Sequence, residues 1–245
     1  MKKSKIVLLL LSTLIASCVG AETPNEETIK DNIKKLVEPR LGAGVKIDSV
    51  KATPYGGLYE IRTGGEILYA DRSGSYLFSG HVFDAKSMTD LTKARLDDIN
   101  KIKFSDLPLE SAVKLVKGNG KRVIAVFEDP NCGYCKRFRQ QTLKEMDNVT
   151  VYTFMYNILA EDSFDKSKNI WCAADRNKAW DDWMVSGKMA PNAPANCTTP
   201  NDQVLALGQK LRITGTPSIF FADGSRIPGA LDAKALEAKL ASIQQ

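Results

Sequence analysis

Histidine is nearly absent from this 245-residue chain, which contains only His81, and cysteine is scarce, with five residues. These shortages work against a zinc site. Cys132 and Cys135 would need two further ligands, while Cys172 and Cys197 stand 25 residues apart without Cys-x-x-Cys or histidine spacing. Internal repeats and low-complexity tracts are missing, which sets aside solenoid, fibrous and disordered classes. Charge of one sign is not in large excess either, the formal net charge being +5. Beyond the N-terminus no segment approaches the roughly 18 consecutive apolar residues of a membrane-spanning helix.

What is present at the N-terminus reads as an export signal over residues 1–21. Lys2, Lys3 and Lys5 precede an apolar run from Ile6 to Ile15, and Val19-Gly20-Ala21 offers small residues for cleavage. Its removal takes away three lysines and no acid, so the formal charge falls from +5 to +2. Nucleic acid is therefore not an expected partner. Leu14 to Cys18 resembles the lipobox of bacterial lipoproteins, so lipid anchoring through Cys18 stays open as an alternative to a free periplasmic form. The remaining four cysteines form an even set suited to two bridges in an oxidising compartment.

Three segments follow the signal. Residues 22–87 read as a small α+β domain: a helix over Glu26 to Val37, with Ile29, Ile33 and Leu36 or Val37 on one face, then strands at Leu58–Arg62, Glu66–Tyr69 and Ser75–Phe78 separated by glycine-bearing turns. Residues 88–104 read as a linker helix, with Met88, Leu91, Arg95, Ile99 and Ile102 on one face; the competing reading packs this helix into one continuous domain. Residues 105–245 read as an α/β domain in the order helix, strand, helix, strand, helices, strand, turn, helix. Val123–Phe127 is a continuous apolar run suited to a strand covered on both faces. Val149–Tyr156 pairs with it across a helix spanning 132–146, and Ser218–Phe221 with Ser225–Ile227 makes a closing hairpin, so the sheet is expected to be mixed.

Cys132-Gly133-Tyr134-Cys135 follows the first strand of that domain and opens a helix. At a helix N-terminus, free backbone N–H groups and the helix dipole favour a thiolate over a thiol. Cys132 is accordingly the expected nucleophile, with Lys136, Arg137 and Arg139 adding positive charge that exposure would screen. Cys135, deeper on the same face, is expected to stay protonated until it resolves a mixed disulfide. A purely structural bridge would close too small a loop to constrain the unfolded chain much. His81 reads as a domain-boundary residue, and Trp171, Trp180 and Trp183 as packing residues, a substrate-binding role being the alternative.

Thr214-Gly215-Thr216-Pro217-Ser218 precedes another apolar strand. Taken alone it reads as a trans-proline turn. Together with Cys-Gly-Tyr-Cys it resembles the thioredoxin fold, whose members carry a cis-proline facing the catalytic cysteines. The resemblance implies that Pro217 keeps a backbone N–H away from the sulfurs and that Thr216 offers backbone groups to an extended substrate strand. Gly133 and Tyr134 complete the expected substrate contacts. Ile170-Trp171-Cys172 through Ala179, Cys197 and Leu207-Gly208 narrow the resemblance to the DsbC/DsbG family of periplasmic disulfide isomerases, over essentially the whole mature chain; Gly133, where a DsbG would have proline, favours the isomerase side. That resemblance implies a structural Cys172–Cys197 disulfide and a homodimer joined through the N-terminal domain; no bound cofactor is needed, since two cysteine side chains carry the chemistry, and no metal is expected. Unfolded or misoxidised secreted proteins are the implied substrates, with a DsbD-like membrane reductant as redox partner. Thioredoxin itself has a buried acid six residues before its first cysteine. Here that position is Val126, which leaves Glu128 and Asp129 as uncertain substitutes.

An isomerase is the leading functional reading. An oxidase, a holdase chaperone binding unfolded chains, and a monomeric secreted reductase are the alternatives.

Overall fold

The computed structural model describes residues 25–243, so the export signal and Cys18 lie outside the described residues. The chain divides into two compact units, one from residues up to Gly64 with Leu68–Ser79 and one from Gly80 onward with Gly65–Ile67.

In the first unit, helix α1 (Glu26–Val37) begins at Asn25, whose Oδ1 accepts the Thr28 N–H at 2.9 Å. Acids in its first turn and lysines in its last complement the helix dipole. The four-residue spacing of Ile29, Ile33 and Val37 buries that stripe and leaves Leu36 exposed. Its core partners are Ile47, Tyr59, Ile61 and Ala70. These come from strands β1 (Ile47–Ala52), β2 (Tyr59–Thr63) and β3 (Glu66–Ala70), which with β4 (Leu77–Ser79) form a sheet in the order β1-β2-β3-β4. Strand β1 is not apparent in the sequence because only Ile47 in it is buried, so the alternation that marks a half-buried strand is missing. Strand β4 lies at the sheet edge, and Tyr76, Leu77 and Phe78 there are exposed.

The second unit starts with a short hairpin, β5 (Phe83–Asp84) with β6 (Thr89–Asp90), followed by helix α2 (Leu91–Ile99). This helix is shorter than the 88–104 span expected. Met88 has φ 54 and is exposed, residues 89–90 pair as a strand, and the Asp90 carboxylate caps the helix by accepting the Lys93 N–H at 2.8 Å. A further correction concerns the segment from Ser105, read as a helix. It forms two single 3₁₀ turns, Phe104–Asp106 and Leu109–Ser111, on either side of Pro108, and then strand β7 (Val113–Lys117). Proline cannot donate the N–H that a continuous helix needs.

Strands β8 (Arg122–Glu128), β9 (Val149–Met155), β10 (Ser218–Phe221) and β11 (Arg226–Pro228) complete a five-stranded sheet in the order β11-β10-β8-β9-β7. Only β8 and β9 run parallel, across helix α3 (Gly133–Arg137) and its π-helical continuation Phe138–Leu143; β7, β10 and β11 pair antiparallel. The two-residue period of β8 sorts its side chains to opposite faces. Ile124 and Val126 pack with Phe138, Val151, Ile219, Leu236 and Leu240, the last two from helix α7 (Ala233–Ser242). Ala125 and Phe127 pack with Phe154, Tyr156 and Phe220, and with Val204 of helix α6 (Asn201–Lys210). Helices α4 (Ser163–Trp171) and α5 (Arg176–Ser186) carry the third cluster, which includes Cys132, Cys135, Ile170, Trp180 and Met184.

Candidate active site

Strand β8 delivers the turn Asp129-Pro130-Asn131 to the start of α3, and Cys132 stands at the N-cap. Its Sγ accepts the backbone N–H of Cys135 at 3.1 Å, the place a serine or aspartate oxygen occupies in ordinary caps. The same N–H is therefore positioned to stabilise negative charge on Cys132 sulfur. Cys132 and Cys135 are joined as a disulfide, with Cα atoms 5.2 Å apart, so the structure is that of the oxidised pair. Both are buried, at 2% and 0% exposure. Tyr134 between them is 63% exposed, and a Cβ at Gly133 would meet nothing within 4 Å.

The loop before β10 closes the site. Thr216–Pro217 is a cis peptide, and the Thr216 carbonyl oxygen lies 3.3 Å from Cys132 Sγ. Thus Cys132, Cys135, Thr216 and Pro217, 81 or more residues apart between the two segments, meet at one end of the sheet. The other bridge, Cys172–Cys197, joins the C-cap of α4 to an irregular segment, with Cα atoms 6.2 Å apart.

The two acids after β8's apolar run have different surroundings. Asp129 is fully buried and its carboxylate is fully employed: Oδ1 accepts the Asn131 N–H at 2.8 Å and the Ser163 hydroxyl at 2.9 Å, and Oδ2 accepts the N–H groups of Ile158 and Leu159 at 2.7 and 3.0 Å. Its carbonyl oxygen accepts the Cys132 N–H at 3.0 Å. Glu128 is also fully buried, but only Oε2 is paired, accepting from Arg139 Nε at 2.8 Å and Trp180 Nε1 at 3.2 Å; Oε1 has no hydrogen-bond partner. Burial pushes the Glu128 carboxyl above its ordinary value, against the opposing pull of Arg139 and Trp180.

Sequence reasoning misplaced Arg139 and missed the brace around the turn. Arg139 is no screened surface cation. It is 4% exposed and donates to Glu128, to Asp181 at 2.8 Å and to Thr153 at 2.5 Å, which neutralises its charge locally. Trp183 donates Nε1 to the Pro130 carbonyl at 2.7 Å, while the Lys136 and Lys166 ammonium groups lie 4.4 and 5.0 Å from its ring centre. Lys166 also reaches Asn131 Oδ1 at 2.5 Å and Asp162 at 2.6 Å. Spacing within the sequence offers no signal for these partners. Trp180 is buried beside the cysteines, in keeping with a packing role, and His81 pairs with Asp90 at 2.6 Å.

Known proteins match both units. A family described as "Thioredoxin-like domain" matches residues 109–244, and one described as "Disulfide bond isomerase protein N-terminal domain" matches residues 20–93. The chain is 46% identical over 220 residues to a "Probable thiol:disulfide interchange protein DsbC" of Bordetella pertussis, covering 90% of this chain and 76% of that protein. The chain belongs to the DsbC family. The Escherichia coli "Thiol:disulfide interchange protein DsbC" is 30% identical over 225 residues, covering 90% of this chain and 89% of that protein. Among solved structures, a disulfide interchange protein from Neisseria gonorrhoeae superposes with a TM-score of 0.53 at 39% identity, covering 57% of this chain and 99% of that one. This DsbC-family chain is therefore a thiol:disulfide oxidoreductase, with a thioredoxin-like domain preceded by a small α+β unit. Among the described residues no helix is long and apolar enough to cross a membrane.

Proposed function

We propose that the chain is a periplasmic protein disulfide isomerase in which Cys132 is the nucleophile and Cys135 the resolving residue. The observation that carries this reading is the Cys135 N–H donated to Cys132 Sγ at the start of α3, beside the Thr216 carbonyl. In the reduced enzyme the Cys132 thiolate attacks a substrate disulfide, forming a Cys132–substrate bond and releasing the other substrate sulfur as a thiolate. A second substrate thiolate then attacks the substrate sulfur of that bond, making a rearranged disulfide and returning the Cys132 thiolate. Alternatively Cys135 attacks Cys132, releasing the reduced substrate and forming the Cys132–Cys135 disulfide. A membrane dithiol reductant of the DsbD kind would then supply two electrons to reopen it.

Gly133, Tyr134, Thr216 and Pro217 are the proposed substrate contacts, supported by the exposure of Tyr134 and the closeness of Thr216 to Cys132. Cys172–Cys197 is proposed as a structural bridge, and the boundaries 22–87, 88–104 and 105–245 as dimerisation domain, linker and catalytic domain. A homodimer through the first unit is supported by the match to the isomerase N-terminal domain and by the exposed apolar residues at the β4 edge.

The test is refolding of scrambled, fully oxidised ribonuclease in glutathione buffer. Recovery of activity with the wild-type protein and none with Cys132→Ser is expected. Insulin reduction without ribonuclease recovery would replace isomerase by reductase.

A further inference from the structure

The Asp129 carboxylate does more than order the turn before Cys132. It takes the backbone N–H groups of two consecutive residues from another part of the chain, Ile158 and Leu159, at 2.7 and 3.0 Å. Both side chains are apolar and face solvent, at 37% and 53% exposure. A loop free to relax would fold such side chains inward, since burial of apolar surface is favourable. Here a fully buried carboxylate with all its acceptor sites in use holds their backbone rigid and leaves the side chains outside. Through its carbonyl oxygen Asp129 also takes the Cys132 N–H at 3.0 Å, so one residue ties this exposed pair and the cysteine to a common frame.

We propose that Ile158 and Leu159 form an apolar lip that engages hydrophobic side chains flanking the cysteine of a substrate polypeptide, with Asp129 as the residue that positions the lip beside Cys132. The occupant follows from continuity. Asp129 accepts both the Cys132 N–H and the N–H groups of Ile158 and Leu159, so a chain covalently held at Cys132 shares its frame with the loop that presents these apolar groups. The proposal rests on Cys132 being the attacking sulfur. Preorganisation then favours substrates whose cysteine sits in a hydrophobic stretch, which is the sort of segment an unfolded protein exposes.

Two peptides test this, each with a single cysteine carrying a thionitrobenzoate leaving group, one flanked by Leu and Phe and the other by Ser and Gly. Attack of the Cys132 thiolate on the peptide sulfur forms a Cys132–peptide disulfide and expels coloured thionitrobenzoate with the electron pair. Second-order rates are measured with the reduced full chain and divided by its rate with the symmetric small disulfide dithionitrobenzoate. The wild type is expected to prefer the Leu/Phe peptide by about tenfold, the scale of discrimination that one or two apolar contacts provide. Ile158→Ser with Leu159→Ser should bring the peptide ratio towards one. Asp129→Asn, which cannot accept four donors, should lower it in the same direction. A wild-type ratio of one, or a ratio unchanged in the Ile158→Ser, Leu159→Ser variant, overturns the lip. Absence of colour with every probe, including the small disulfide, would instead overturn the role of Cys132 and the lip with it. Circular dichroism of each variant confirms that a lost ratio is read on folded protein.

Discussion

Arg139 and Glu128 form a buried ion pair, Nε to Oε2 at 2.8 Å, with side-chain exposures of 3% and 0%. The pair joins the π-helical continuation of α3 to the end of β8, and Trp180 and Asp181 bring α5 into the same network. Removing the guanidinium strands a buried carboxylate. Arg139→Ala is therefore expected to destabilise the fold by about 3–5 kcal/mol. Urea unfolding measures it, and a loss near that of an ordinary surface substitution would contradict the account.

Glu128→Gln addresses the pH dependence of the same network. Because burial raises the Glu128 carboxyl in the folded state, its proton is held more tightly there than in the unfolded chain. Stability from this group is complete below the unfolded value of about 4.3 and is lost as pH rises through the higher folded value. The stability of Glu128→Gln relative to wild type should consequently move in the variant's favour as pH rises from acid towards neutral. A parallel pair of stability curves would show that the carboxyl is not shifted upward.

The Asp162 carboxylate has the opposite sign. The Lys166 ammonium, the Asn131 amide and the Lys166 charge hold it below the ordinary value. Its contribution is present above about pH 3.9 and is lost as pH falls from there through the lower folded value. Asp162→Asn should be less stable than wild type at neutral pH, with the difference closing in acid. Unfolding midpoints at several pH values provide the check.

The Cys172–Cys197 bridge closes a loop across a sequence separation of 25. Chain entropy assigns such a crosslink roughly 3.5 kcal/mol. Replacing both cysteines by alanine should lower stability by up to that amount, while the rate of reaction of Cys132 with a small disulfide changes far less. An equal collapse of that rate in the folded variant would give the bridge a part in the chemistry.

Gly208 in α6 stands against Tyr156, whose ring occupies the space a Cβ would need. Tyr156 is buried and its hydroxyl donates to the Ile213 carbonyl at 3.0 Å, so the ring has little freedom to retreat. Gly208→Ala should cost about 1–3 kcal/mol by overpacking, despite alanine's better helix propensity. A stabilised variant in thermal unfolding would overturn that expectation.

Much of this was legible in the residues. Val123–Phe127, Val149–Tyr156 and the Asp223-Gly224 hairpin announce their strands because apolar runs and turn residues act over a few positions. Strand β1 and edge strand β7 were not legible: one buries only Ile47, and the other follows 3₁₀ turns that resemble a helix start. Cys-Gly-Tyr-Cys marked one half of the candidate site through chemistry contained in four adjacent residues, whereas Thr-Gly-Thr-Pro, a trans-proline turn when taken alone, marked the other half only through its resemblance to the thioredoxin fold.

The amino-acid order by itself determined that a strand would carry Cys132 to a helix N-terminus, where short-range backbone geometry makes a thiolate favourable. Only the tertiary structure decided what Glu128, Asp129 and Arg139 do there. Their partners lie from 11 to 52 residues away at Arg139, Ile158, Ser163, Asp181 and Trp180. A buried charge takes its state from the groups the folded chain packs around it, and local spacing carries no record of which groups those are.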